Sequence, residues 1–539
     1  DYLGYKWEIV TEDTPEQSLS EFDALIAITG LHYKKIINFT ESTGRVVVVL
    51  CQPSLGLLSY LGDEGIGWVT DTANRTVDIY SFVKTELTNG LFDEFGSLSV
   101  WDVYNCKYNS NARVLCKTKG GVPVLVEQIH GRGHYVFFFT NKQVWDEYNC
   151  QLIKNILETN TKLWRVGHIP YAKDVAVVLR LDDFCTDYRP WEKYYMITKD
   201  ITIAAIINKT SSDALERVSG ACILPHGYDH EDLSKLSYDE EYAVLYKCRN
   251  KFKQMLGYYP QGFVAPYNRI SENTTAIGDT MGYLYFTTHT GIAKIPKYYY
   301  KKTPNRAWVL GTRSEDFSNL TLIKSILEKY YRGGVIMFVD HPYMREKKGQ
   351  INDSLRTLQF LVTFVDANEG YYLTTLDDLF KKLGESRYIW VNGKKLIVER
   401  DVDCGLTLHY NDVRGQIRLG DYVMMYYRDN KTVLPSLRKG EYPIEPCDGY
   451  PVLEIENKYV VVKNAVFDMK SKRIILILHS PVNVTTTLVI NNLEPHSQYI
   501  MLMSREKFRV SADECGLAKV DVKLVGGVDV KIVFKEVGG

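Results

Sequence analysis

The chain has 539 residues, 45% of them apolar and 24% charged, which is the composition of an ordinary folded protein with room for about three domains. Its formal net charge of -1 offers no basic excess, and this argues against a nucleic-acid partner. No apolar run reaches the roughly 18 to 20 residues needed to cross a bilayer.

Residues 1–165 read as an α/β domain. Phe22–Thr29 and Arg45–Leu50 are continuous apolar runs, the pattern of strands covered on both faces. Gly121–Glu127 (GVPVLVE) and Gly131–Phe139 (GRGHYVFFF) predict two strands joined by a tight glycine turn, and a helix is expected over Trp145–Leu157. These segments make the region resemble a flavodoxin-like α/β domain of the class I glutamine-amidotransferase type. Catalysis in that family needs a cysteine on a glycine-flanked elbow, whereas Cys51 is followed by Gln52 and Pro53. The resemblance therefore implies a structural or binding accessory domain.

Residues 166–385 alternate strand and helix. Strands are expected at Val175–Leu181, Ile201–Ile207, Gly262–Ala265, Tyr283–Thr287 and Val335–Val339, and helices at Glu240–Leu256 and Leu320–Tyr330. This alternation predicts a parallel sheet or barrel wrapped by helices. From 386 to 539 the texture changes to short strands and turns. Tyr388–Val391 and Lys395–Val398 flank Asn392-Gly393, a hairpin signal. Further strands at Tyr459–Val462, Ile474–Leu478, Thr487–Ile490 and Val530–Phe534 suggest one or two β-sandwich modules.

Several features point to an exported glycoprotein, at the cell surface or outside it. Eight Asn-x-Ser/Thr sequons occur, at Asn38, Asn74, Asn208, Asn273, Asn319, Asn352, Asn430 and Asn483. Composition alone predicts about three, and such sites mark surface loops of exported proteins. The ten cysteines contain no zinc-type Cys-x-x-Cys pair, so disulfides are their natural use in an oxidising compartment. Full pairing, with Cys51, Cys106, Cys116 and Cys150 kept together, requires a bridge between the middle and last parts. Cys185 is expected to be that bridge or free. The opening at Asp1, without an initiator Met, is what a processed or trimmed chain would have. Tyrosine is abundant at 39 residues and suits wet interfaces and sugar-stacking surfaces, or else reflects compositional bias.

The chemistry-bearing residues follow the strands of the middle domain. Asp182 and Asp183 come directly after Val175–Leu181, where barrel strand ends line an active site. Two adjacent carboxylates there need a metal or cation to compensate them; the plain alternative is a pair of loop acids or a helix cap. His226-Gly-Tyr-Asp-His230 follows an apolar stretch, and two histidines four apart share one face of a helical turn. Imidazoles suit zinc, and one carboxylate would complete a three-ligand site with an open position. His341 follows Val335–Val339 and Asp340, placed to donate a proton, unless it is a loop histidine without a role.

In this order, with Val264-Ala-Pro-Tyr267 between the second and last segments, these motifs resemble the polysaccharide deacetylase superfamily (carbohydrate esterase family four) over about 200 residues. The resemblance implies a distorted (β/α) barrel and a divalent metal, zinc by preference, on Asp183, His226 and His230. It implies Asp182 as general base, His341 as general acid and the backbone N–H of Tyr267 as an oxyanion donor. The substrate would be an N-acetylated glycan, and the products acetate and a free amino sugar.

The match is incomplete. The family's Arg-x-Pro-Tyr arginine, which orients and balances the catalytic Asp, is Val264 here, leaving Arg180 or Arg313 as substitutes. Arg180 points to the opposite strand face from its immediate neighbours. The family's Asp-Trp motif is replaced by Thr287-Thr-His289-Thr, and Thr-Phe-Asp-Asp by Arg-Leu-Asp-Asp. Three readings stay open: an exported glycan deacetylase, a different metal hydrolase such as an amidase or peptidase, and a surface structural or glycan-binding glycoprotein on a degenerate scaffold, built for self-assembly or cell-surface partners.

Overall fold

The computed structural model describes residues 19, 22, 24–27, 33–50, 54–69, 76–82, 98–101, 103–118, 120–138, 156, 164–167, 169–186, 190–271, 273–288, 308–311, 317–329, 334–410, 415–457, 460–504 and 506–537. The chain divides into two compact units, Lys6–Leu163 with Tyr410–Asp412, and Trp164–His409 with Asp1–Tyr5 and Val413–Gly539.

The first unit is built on a seven-stranded mixed sheet. Ala24–Ala27, Val46–Val49 and Gly133–Phe138 run parallel. Val46–Val49 is buried at every position, as a strand covered on both faces must be. Pro123–His130 and Gly133–Phe138 form the expected antiparallel pair, turned at Gly131 with φ 58°. Helices Tyr33–Thr43 and Leu55–Leu61 lay Ile36, Phe39, Leu57, Leu58 and Leu61 on the core. Cys51 and all of the helix expected over Trp145–Leu157 except Ile156 lie outside the described residues.

In the second unit Cys222–Pro225, Thr202–Ala205, Val175–Phe184 and Gly334–Asp340 are neighbours in that order, all parallel. Tyr371–Thr374 adds to the first half of Val175–Phe184. Gly262–Val264, Tyr285–Thr288 and Trp308–Gly311 make a second parallel sheet. Parallel strands carry every following loop to one end of their sheet, which places the motif residues at the sheet ends. The long helix Tyr238–Leu256 starts at a capping box of Ser237 and Glu240 and stops at left-handed Gly257. It buries Leu245, Cys248 and Phe252 at helical spacing.

The last part supplies a ten-stranded antiparallel sheet running from Ile389–Asn392 to Glu506–Ser511 and a three-stranded sheet of Val452–Ile455, Val484–Asn491 and Ala518–Leu524. Leu476, Leu478, Ile532 and Phe534 of the larger sheet share a core with Leu488, Ile490, Val522 and Leu524 of the smaller. The Asn392-Gly393 hairpin forms as expected, with Gly393 at φ 57°. This part packs into the parallel-sheet region. Arg165–Gly167 pairs with Thr407–His409, and Val461 joins a core cluster with Leu376, Leu379, Phe380 and Leu383. His479 bridges Asp200 Oδ2 at 2.9 Å and Asp529 Oδ1 at 2.8 Å.

The expected pairing of all ten cysteines does not form. Cys106, Cys116, Cys222, Cys248, Cys404, Cys447 and Cys515 are free, so no bridge joins the middle to the last part. Cys116 and Cys248 are wholly buried and serve as small apolar side chains in their cores. Among the described residues no helix is long and apolar enough to cross a membrane.

Candidate metal centre

Adjacent residues of a strand point to opposite faces, so Asp182 and Asp183 should diverge. They do not, because the register slips between Leu181 and Phe184 and Asp183 takes a left-handed φ of 63°. Asp tolerates that conformation better than most residues. Both carboxylates therefore line one cavity of about 900 Å³, together with His226, His230, Tyr267 and His341.

The two motif histidines meet by a different route from the expected one. Residues 226–230 form a loop, not a helical turn, since Gly227 and His230 are left-handed at φ 78° and 76°. The loop is pinned by backbone N–H donation from His226 to Ala205 O at 2.7 Å and from Asn208 to Tyr228 O at 2.8 Å. Glu231 accepts from the N–H groups of Tyr228 and Asp229 at 2.9 and 3.0 Å. The result brings the two imidazole centroids to 4.8 Å.

Asp183, His226 and His230 each offer one ligand atom, all within 4.8 Å of one another. Asp183 Oδ1 lies 3.1 Å from His230 Nε2 and 3.4 Å from His226 Nε2, yet this buried oxygen has no well-formed hydrogen bond. Ligands about 2.0–2.1 Å from a tetrahedral ion stand about 3.3–3.4 Å apart, close to these separations, so the three groups are near enough to share one ion. His226 Nδ1 is 3.0 Å from the Val264 carbonyl. Donation there leaves the Nε2 lone pair for a metal, the usual way an outer partner fixes a ligating tautomer. Burial would raise the Asp183 carboxyl, but the two imidazoles outweigh it and hold the group far below the ordinary carboxylate range. Two imidazoles and an ionised carboxylate fit a divalent ion.

Asp182 is committed elsewhere. Arg180 Nε and Nη2 donate to its two oxygens at 2.7 and 2.6 Å, and both residues are buried. Residues two apart on a strand share a face, so Arg180 looks away from Leu179 and Leu181 but toward Asp182. Thr287 Oγ1 and Asn268 Oδ1 accept from the same guanidinium at 2.8 and 2.6 Å. Burial pushes the Asp182 carboxyl up, yet Arg180, with His226 and His341, brings it below its ordinary value. Arg180 thus holds the charge-balancing place that Val264 leaves vacant. Arg313 and His289 lie outside the described residues.

Residues 195–286 match the model of the polysaccharide deacetylase family. The chain thus has a polysaccharide deacetylase-like domain. The matched span holds His226, His230 and the Val264–Tyr267 segment; Asp182, Asp183 and His341 fall outside it. A peptidoglycan deacetylase-like protein of Gibberella zeae is 38% identical over 73 residues, 14% of this chain and 22% of that protein. The chain thus matches about a fifth of that relative's length. Among solved structures, one assigned as a polysaccharide deacetylase of Mycobacterium smegmatis has 17% identity and a TM-score of 0.34, covering 40% of this chain and 92% of its own. A family 4 acetyl xylan esterase from Clostridium thermocellum with a cobalt ion has 17% identity and a TM-score of 0.27, covering 38% and 90%.

Around the candidate metal site, Tyr267 is left-handed at φ 56° and 58% exposed, with its ring 4.6 Å from that of His230. His341 caps the helix Pro342–Lys347 and reaches the cavity. Asp340, just before it, is fully buried and accepts from Tyr194 and Arg345 at 2.7 Å each. Sequence reasoning missed Glu231, Thr287 and Asn268 as site partners; the carboxylate directly after His230 was the one available signal. Of the sequon asparagines, Asn38, Asn208, Asn273, Asn319, Asn352, Asn430 and Asn483 are exposed, and Asn74 lies outside the described residues.

Proposed function

We propose that this is an exported glycoprotein whose central domain, a distorted (β/α) barrel, is a zinc-dependent N-deacetylase of N-acetylated glycans. The amidotransferase-like α/β unit and the C-terminal β-sandwich would serve it as accessory parts. The observation that carries the reading is the division of labour between neighbouring carboxylates. Asp183 faces two imidazoles without a hydrogen bond, while Asp182 is held apart by a buried arginine.

A divalent ion on Asp183, His226 and His230 supplies Lewis acidity toward an amide carbonyl and water. Asp182, ionised against Arg180, takes a proton from the attacking water. The N–H of Tyr267 donates to the developing oxyanion. His341 gives a proton to the departing nitrogen as the C–N bond breaks. Water is consumed, and acetate and a free amine leave. The substitution at Val264 would favour a degenerate scaffold, but the Arg180 contact answers that objection.

The test is metal content and acetate release measured together on N-acetylglucosamine oligomers. Stoichiometric zinc that is lost in His226→Ala, and acetate release that is lost in Asp182→Asn with metal retained, are expected. A chain that binds no divalent metal after purification and zinc dialysis would end the proposal.

A further inference from the structure

Among the described residues, the cavity that holds the candidate metal site is lined by more cationic than acidic side chains. Its acidic lining residues, among those described, are Asp182 and Asp183. Asp182 is neutralised by Arg180, and Asp183 is turned to the two imidazoles as a ligand of the proposed ion, so neither carboxylate faces the remainder of the cleft. Four cationic side chains among the described residues also line the cavity. Arg345 is spent on Asp340 at 2.7 Å, and Arg269 on Asp232 at 3.3 Å. Lys209 and Lys348 remain, and among the described residues neither has a carboxylate partner.

Their placement follows from the sheet order. Val175–Phe184 lies between Thr202–Ala205 and Gly334–Asp340. Lys209 closes the 3-10 turn Ile207–Lys209 after the first of these neighbours. Lys348 caps the helix Pro342–Lys347 after the second. The two lysines therefore come from the segments that follow the strands on either side of the one presenting both aspartates, and both line the same cavity. A linear glycan seated with its acetamide at the metal site would pass them on either side. Tyr267, largely exposed beside His230, offers a ring face for an apolar sugar surface.

We propose that the substrate is an N-acetylated glycan carrying carboxylate or sulfate groups beside the acetylated sugar, selected by Lys209 and Lys348. This rests on the deacetylase reading above. Focused positive potential in a cleft raises the local concentration of an anionic chain. The same potential repels the ammonium that deacetylation creates, which favours product release.

The experiment compares unmodified, carboxymethylated and O-sulfated chitin oligomers of equal length, using the full chain loaded with zinc. Acetate release and equilibrium binding are both measured. The expected kcat/KM for the anionic oligomers exceeds the neutral value by about fivefold or more at low salt, and the advantage shrinks as ionic strength rises. In K209Q/K348Q the anionic-to-neutral ratio falls to about one, through KM and not kcat. Carboxymethylated and sulfated arms say which anion fits better. Equal turnover of neutral and anionic oligomers, or a salt-insensitive preference, overturns the proposal while leaving the deacetylase intact. Salt-sensitive binding of anionic oligomers without acetate release from any of them supports the anion site and sinks the deacetylase reading.

Discussion

Replacing Arg180 with methionine should destabilise the second unit strongly. The side chain is fully buried and makes four hydrogen bonds, two to Asp182 and one each to Thr287 and Asn268. Methionine fills much of the space but leaves the Asp182 carboxylate, 2% exposed, without its counter-charge. Breaking a buried ion pair by removing one partner costs about 3–5 kcal/mol. Urea unfolding of the whole chain, followed by circular dichroism, measures the loss. Asp182→Asn alone strands the guanidinium and should also be costly, whereas R180M/D182N removes both charges and should recover part of the loss. A cycle in which the two single losses simply add, or an R180M cost below about 1 kcal/mol, would refute the idea that the pair balances itself.

Glu231→Ala frees the backbone N–H groups of Tyr228 and Asp229 and should weaken zinc affinity about tenfold or more without unfolding the chain, as read by competition with a chromophoric chelator. His479 is raised from 6.5 to about 9: burial lowers it, but Asp200 and Asp529 outweigh that, against a smaller opposing effect of Lys463. Its stabilisation is therefore complete below pH 6.5 and disappears as pH climbs through about 9. His479→Gln should cost about 3 kcal/mol at pH 6 and little at pH 10 by urea midpoint; an equal cost at both values would show the imidazole bridges its carboxylates uncharged. Asp182→Asn should keep zinc and lose acetate release, and a variant retaining more than about a hundredth of the activity would exclude Asp182 as the base.

Much of the site was readable before any coordinates. Continuous apolar runs ending in Asp182, His226 and His341 put three polar clusters at strand ends, because parallel strands deliver their loops to a common end. What failed was the local conformation. The spacing of His226 and His230 fits a helical turn, but Gly227 and His230 adopt positive φ, and nothing in a histidine's identity announces that. The bulge that turns Asp183 beside Asp182 is equally silent, since it depends on pairing with Thr202–Ala205. Arg180 was legible by a rule applied one residue short: immediate neighbours diverge, but Asp182 is two away. The cysteines misled because an even count suggests bridges, whereas burial uses Cys116 and Cys248 as apolar filler. The strands after 386 were recognisable by alternation, but the sides they pack against were not, because Val461 joins helix residues about 80 positions earlier and His479 reaches Asp200 across 279 residues.

The seam between Val461 and the helix Leu376–Ser386 bears on how the protein can be handled. A fragment stopped near residue 386 would bare Leu376, Leu379 and Phe380 to water, unzip Arg165–Gly167 from Thr407–His409 and strand Asp200 without its imidazole. Truncation there would remove a wall of the domain, so recombinant pieces meant to isolate its chemistry should run through to the strand Val530–Glu536.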